Sequence, residues 1–281
     1  MKRILLSAIV TILLVACSQP QTSKVVVPTR QGWHSTLPTL LGDVESVTAT
    51  EYIPILESGN IVKEFESRTE YKFNERGDVV EQISYDRDNS VLDKCLYSYN
   101  SEHRMTESSW IGFNGKPFFK TRYIYDNNGV LTQEVSYNGD GAMCNKSIFK
   151  YNSKGQKTEE ISYDSKNVLQ WRALLKYNAK GYLVEDAAYW VYGGLDYRNL
   201  YKYNTEGKRI EEIEESVESP MKRNTYKYDS EGRIITKSIC IEGVPEELKF
   251  GYHYDTIGNV VKIASSDPNS LVTEFEVVYR K

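Results

Sequence analysis

Beyond residue 35 the apolar positions never settle into a helical spacing. They alternate with polar ones in runs of four to eight residues, as in Leu174-Leu175-Lys176-Tyr177 and Glu159-Glu160-Ile161-Ser162-Tyr163. Alternation of that length is the mark of half-buried β-strands, and the absence of a 3.6-residue period predicts no substantial helix in the body. The runs are punctuated by an aromatic residue followed by Asn or Asp: Phe73, Tyr99, Tyr125, Tyr151, Tyr177, Tyr203, Tyr228 and Tyr254, spaced by 26, 26, 26, 26, 26, 25 and 26 residues. Tyr279 closes the series 25 residues later. Four residues past each anchor stands Gly77, His103, Gly129, Gly155, Gly181, Gly207, Gly232 or Gly258. A fixed period of this size means that one supersecondary unit has been copied.

The punctuation defines the unit. An Asn or Asp side chain can bond the backbone two residues on and open a type I turn, and the glycine then closes it in the left-handed region. Such a loop, with its bulge, joins two antiparallel strands, so each repeat is a β-hairpin. His103 replaces glycine in one turn and is expected to carry a small strain. A second, more variable turn, such as Asn138-Gly139-Asp140-Gly141, leads to the next repeat. The expected fold is therefore all-β, an antiparallel β-meander or solenoid of about eight 26-residue hairpin repeats over residues 71–281. Residues 36–70 are read as N-terminal capping strands, and the segment Thr273 to Tyr279 as a closing edge strand.

Simple parity divides the faces. It places the anchors with Ile83, Tyr85, Val135, Tyr137, Ile161 and Tyr163 on one face, and Lys72, Lys150, Lys176, Lys202 and Lys227 on the other with Glu134, Glu160, Asp186 and Glu212. A further row, Glu81, Glu107, Glu159, Glu185 and Glu211, is then expected to meet tyrosine hydroxyls. The anchors Tyr99, Tyr125, Tyr151, Tyr177, Tyr203, Tyr228 and Tyr254 form a candidate binding face, since tyrosine rows can stack on sugar rings or fill interface pockets.

The N-terminus follows a different pattern. Lys2 and Arg3 precede an apolar run from Ile4 to Val15, which is too short for a stable bilayer span but suits a signal-peptide core. Its end, Leu14-Val15-Ala16-Cys17, resembles the lipobox of bacterial lipoproteins. The resemblance implies cleavage after residue 16 and lipidation of Cys17, with several acyl chains anchoring the protein in a membrane. Residues 17–35 then form the lipidated cysteine and a flexible tether. Ser18 rather than aspartate follows the cysteine, which by the family's sorting rule implies the outer membrane of a Gram-negative cell.

Composition narrows the function. The 281 residues carry 35 Lys plus Arg against 39 Asp plus Glu, too balanced to displace counterions from a nucleic acid. The 3 histidines, His34, His103 and His253, have no second His or Cys at metal-ligand spacing, so no metal or other cofactor is expected. Neither a P-loop nor a Gly-x-Ser-x-Gly elbow occurs, and no enzyme activity is expected. Of the remaining cysteines Cys95, Cys144 and Cys240, the first two lie almost two repeats apart along a meander, too far to bridge, and no disulfide is expected.

The motif in Tyr123-Ile124-Tyr125-Asp126-Asn127-Asn128-Gly129 and in Tyr226-Lys227-Tyr228-Asp229-Ser230-Glu231-Gly232 resembles the bacterial YD or RHS repeat over roughly residues 68–260. In that family long antiparallel sheets wrap into shells around toxic cargo. The resemblance implies β-architecture here, with eight units too few to enclose a cargo domain. These observations together point to a non-enzymatic cell-envelope lipoprotein, anchored in the membrane, that presents a tyrosine-rich β-surface to a protein or glycan or serves as a scaffold. The alternative is an accessory of an RHS-type polymorphic toxin or contact system. The oligomeric state is left open.

Overall fold

The computed structural model describes residues 40–57, 60–112, 114–244, 248–267 and 271–280. The lipobox, Cys17 and the tether lie outside the described residues. Every element within them is a β-strand. In chain order these are β1 (Val44–Glu57), β2 (Asn60–Phe73), β3 (Val79–Tyr85), β4 (Val91–Tyr99), β5 (Met105–Ile111) and β6 (Pro117–Tyr125). Next come β7 (Leu131–Asn138), β8 (Met143–Tyr151), β9 (Lys157–Asp164), β10 (Leu169–Tyr177), β11 (Leu183–Trp190) and β12 (Leu195–Tyr203). The chain finishes with β13 (Arg209–Ser216), β14 (Lys222–Tyr228), β15 (Ile234–Ile241), β16 (Leu248–Tyr254), β17 (Val260–Ser265) and β18 (Val272–Tyr279).

Each strand is bonded antiparallel to the strands before and after it, and β18 returns to β1 in register, with Val47 opposite Val277 and Ala49 opposite Phe275. The sheet is a closed barrel. This corrects the open meander or solenoid: β18 is no edge strand and β1–β2 is no cap, because both belong to one unbroken ring. The expected boundary at residues 70–71 falls inside β2. Closure follows from a small systematic slip. Pairing carries Glu70 to Ile83 and Ile83 to Lys94, a step of 24 residues in a repeat of 26. Arg122, Val135 and Lys146 repeat that step. Each strand is thus staggered by about one residue, which tilts the strands by about 35° and brings the two edges of the sheet together. Eighteen strands at that tilt, spaced about 4.8 Å apart, give a backbone radius of about 17 Å.

The interior is a lumen rather than a packed core. Its hydrophobic clusters join neighbours along the wall: Leu40, Val44, Val47, Tyr71, Phe73 and Val79 at the seam, and Phe250, Tyr252, Val260 and Ile263 beside it. Among the described residues each strand lies against its two ring neighbours and no other.

One face of every hairpin is the more covered. Cys95, Thr121 and Ala173 are buried, while their neighbours Leu96 and Arg122 are exposed. In a closed ring the covered face is the concave one, so the anchor tyrosines point inward. The parity reading of the following strands needs correction. At each Asn/Asp-x-x-Gly turn the register slips by one, as between Lys72 and Phe73 or Lys176 and Tyr177. That bulge places two residues against one and exchanges the faces of everything beyond it. Ile83, Tyr85, Val135, Tyr137, Ile161 and Tyr163 therefore stand outside with the lysines. Glu134, Glu160, Asp186 and Glu212 stand inside, opposite Tyr123, Phe149, Leu175 and Tyr201.

The other glutamate row is the outer partner of the lysines. Glu81 lies 2.7 Å from Lys72 and 2.5 Å from Lys94, and Glu107 lies 2.8 Å from Lys120 and 3.4 Å from Arg122. Glu159, Glu185 and Glu211 bridge Lys150 with Arg172, Lys176 with Arg198, and Lys202 with Arg223. Bonds from Lys72 and Lys202 hold the Glu81 and Glu211 carboxyls below the ordinary carboxylate range. In this belt each carboxylate is shared by two solvent-accessible cations, so every pair contributes only about 0.2–1 kcal/mol.

Candidate functional site

The turns set the stage. At the lower rim each glycine has positive φ, for example +87° at Gly181 and +83° at Gly207, and His103 adopts φ 61° in the same position. In each turn the first Asx residue accepts from the backbone ahead, as when Asn204 Oδ1 receives Glu206 N at 3.0 Å and Lys208 N at 2.9 Å. Every anchor hydroxyl in Tyr99, Tyr125, Tyr151, Tyr177, Tyr203, Tyr228 and Tyr254 donates to a carbonyl of the preceding hairpin, among them Tyr99 to Val79 at 2.8 Å and Tyr203 to Leu183 at 2.7 Å. These are the tyrosines of the candidate binding face: their hydroxyls are pinned to the wall and their rings are left toward the lumen. Burial pushes the Tyr254 phenol up to about 12.

Deeper in the lumen a single repeat position runs around the wall as Gln82, Ser108, Glu134, Glu160, Asp186, Glu212, Lys237 and Ile263. The row divides the interior into two arcs. From β3 to β6 it is neutral: Tyr97 Oη donates to Gln82 at 2.9 Å, and Ser108 shares a bond of 3.2 Å with the Tyr123 hydroxyl. From β7 to β15 it is charged. Lys157 pairs with Glu160 at 3.0 Å and lies over the Phe149 ring, 5.1 Å from its centroid. Two repeats later the same geometry returns with Arg209, which pairs with Glu212 at 3.4 Å and stacks 4.1 Å over Tyr201.

Around Arg209 the polar groups are densest. Tyr226 Oη donates to Glu212 at 2.7 Å, and Asn224 Nδ2 donates to Glu214 at 2.6 Å. Asp186, Arg209, Glu212, Asn224 and Lys237 are all nine-tenths or more buried against the wall. Lys237 sits between Tyr226 on β14 and Phe250 on β16, with its Nζ 5.9 Å from the Tyr226 ring centre. Desolvation lowers its pKa from the ordinary value.

The sequence reading missed this row because uncorrected parity placed its acids outside. The signal that would have found it is the 26-residue recurrence of Glu134, Glu160, Asp186 and Glu212 once the bulge is counted. Within the variable second turn, Asn89 and Asn167 take positive φ, and Asn89 N donates to Asp86 O just as Gly77 N donates to Asn74 O. Asp86 and Asp88 serve that turn by accepting from Ser90. Cys95, Cys144 and Cys240 are free thiols, and His253 faces outward beside Lys262. Among the described residues no three His, Cys, Asp or Glu side chains converge into a metal-holding group.

No protein-family model matches the chain, and no curated relative does. Among solved structures it is similar to a porin-like protein from Bacteroides uniformis, at 9% identity and a TM-score of 0.46, covering 83% of this chain and 97% of that one. It is also similar to a complex of TcdB2, TccC3 and Cdc42 at 10% identity and a TM-score of 0.35, covering 78% of this chain and 15% of that one. A protein of unknown function from Bacteroides fragilis NCTC 9343 matches at 17% identity and a TM-score of 0.28, covering 46% of this chain and 95% of its own. These likenesses are too distant to carry function.

Proposed function

We propose that the chain is a non-enzymatic lipoprotein of the bacterial envelope, held to the outer membrane through Cys17, whose closed barrel binds a glycan inside its lumen. The carrying observation is the contrast between its two walls. The inner wall offers tyrosine rings and a charged arc, while the outer wall is occupied by its own ion pairs. That outer wall also favours a body standing in water beside the membrane. Lys94, Lys120, Lys146, Arg172, Arg198 and Arg223 ring it. Each such cation near a bilayer midplane costs about 2–4 kcal/mol, and a membrane-spanning barrel needs an apolar band there. A lipid anchor supplies the membrane attachment instead.

The lumen is about 20 Å across once side chains are allowed for. A folded domain of 100 residues has a radius of gyration of about 13 Å, so the barrel is too narrow to enclose a toxin-sized domain. An extended oligosaccharide fits. The test has two arms. Radiolabelled palmitate is expected to mark the full chain and not its Cys17→Ala variant; equal labelling overturns the anchor. Calorimetry of residues 36–281 with soluble cell-wall glycan fragments is expected to give binding that weakens when Tyr97 and Tyr123 are changed to Ala. Absence of binding to any fragment overturns the lumen assignment.

A further inference from the structure

Among the described residues Lys237 is the most buried cation of the inner wall. Lys157 and Arg209 each pair with the acid three residues ahead, and Glu212 and Glu214 are bonded to Tyr226 and Asn224. Lys237 is 4% exposed and makes no hydrogen bond or ion pair among the described residues. Its position in the row is held by an acid in the four preceding repeats, so the charge reverses here. A cationic side chain this buried, beside the Tyr226 ring and opposite Phe250 in the register, is costly unless something compensates its charge. The charged groups that face it are Glu212, Glu214 and Arg209 from β13 and Lys222 from β14, while β16 presents Phe250. Both acids are already engaged, and the Nε of Arg209 has no partner. Two cations with unfilled donor capacity, beside aromatic rings in a solvent-filled interior, match the needs of an oxyanion carried on a ring.

We propose that Lys237, with Arg209 beside it, forms an oxyanion subsite in the lumen that takes the carboxylate or phosphate group of an acidic glycan. The subsite rests on the lumen-binding reading and narrows it to acidic ligands. Lys237 donates to the oxyanion, and the Tyr226 and Phe250 rings flank the sugar.

The experiment compares D-glucuronate, inorganic phosphate and neutral glucose on the chain lacking its first 35 residues. Calorimetry is paired with NMR of ¹³C-methylated lysines. Glucuronate and phosphate are expected to bind and to raise the apparent pKa of the Lys237 signal. Lys237→Met, which removes a buried charge and is expected to fold, should weaken glucuronate at least tenfold. Lys237→Arg should retain most of the binding, a rescue that a purely structural lysine would not show. Unchanged glucuronate affinity in Lys237→Met, or a Lys237 signal unmoved by either anion, overturns the subsite. Neutral cell-wall glycans that bind while the glucuronate affinity of Lys237→Met is unchanged would leave the lumen reading standing while this one falls.

Discussion

The two rims of the barrel share one turn, used in every lower loop and in the five upper loops from β3 to β12, and put it to different use. At the lower rim most loops are tiled onto the next. The side chain following one turn glycine lies over the next turn: Asp78 on His103 at 3.1 Å, Gln156 on the Gly181 carbonyl at 2.9 Å, and Tyr182 over Gly207, stacked 5.0 Å from Tyr203. The two chain ends are clasped there as well. Asn259, fully buried, bonds Leu41 and the Tyr279 hydroxyl, which donates to Asp255 at 2.7 Å, and Arg280 pairs with Asp43. At the upper rim Val91, Leu92, Phe118, Val168, Trp190, Val217 and the almost fully exposed Tyr192 stand in water. A repeat array can hold a ring together from one end, which leaves the other end free to vary in sequence.

The difference can be broken most severely at the lower rim. A β-carbon at Gly207 would lie 2.2 Å from the Tyr182 hydroxyl, whereas one at Gly193 of the upper rim meets nothing within 4 Å. Both glycines have positive φ. Gly207→Val is therefore expected to cost about 4 kcal/mol, strain plus overpacking, and Gly193→Val about 2 kcal/mol, strain alone. Denaturant melts of the two variants give the comparison, and equal midpoints would refute the tiling. Because the ring is closed, the loss should be a single global transition rather than the fraying of one repeat.

Next in size is the clasp. Tyr279→Phe removes the hydroxyl that joins Asp255 to Asn259 and is expected to cost about 1–3 kcal/mol. A change below about 0.5 kcal/mol would mean that the seam is closed by its strands alone.

The belt sharpens the picture through pH. Glu81 and Glu211 have folded values depressed below their ordinary 4.5, so the folded chain binds fewer protons than the unfolded one in that range. Their stabilisation is complete above pH 4.5 and is lost as the pH falls through the depressed values. Stability curves between pH 6 and pH 3 should show this slope, flattened in the Glu81→Gln, Glu211→Gln double variant. The smallest effect is expected at the upper rim, where Trp190→Ser with Tyr192→Ser should shift stability by less than about 0.5 kcal/mol in thermal melts. A larger loss would show that the apolar rim is packed in solution.

Much of this was legible in the residues. The 26-residue period, the strands, the lower turns and the strain at His103 all follow from local chemistry that the chain repeats. Closure was not, because a slip of one residue per strand has no signature in composition or alternation; it accumulates only in the paired register. The site was lost for a related reason. Parity is trustworthy within a strand, but each bulge reverses it, so Glu160 and Glu159 exchanged walls. Lys237 was visible throughout, as the one position in that row where the sign changes.

The slip has an evolutionary consequence. Inserting one more hairpin by gene duplication adds two strands and two residues of stagger together, so the tilt of every strand is unchanged. A barrel on this plan can gain or lose circumference in whole copies without redesigning a single contact between neighbours, and its bore widens by about 3–4 Å with each copy. Ligand size could then be tuned by copy number alone.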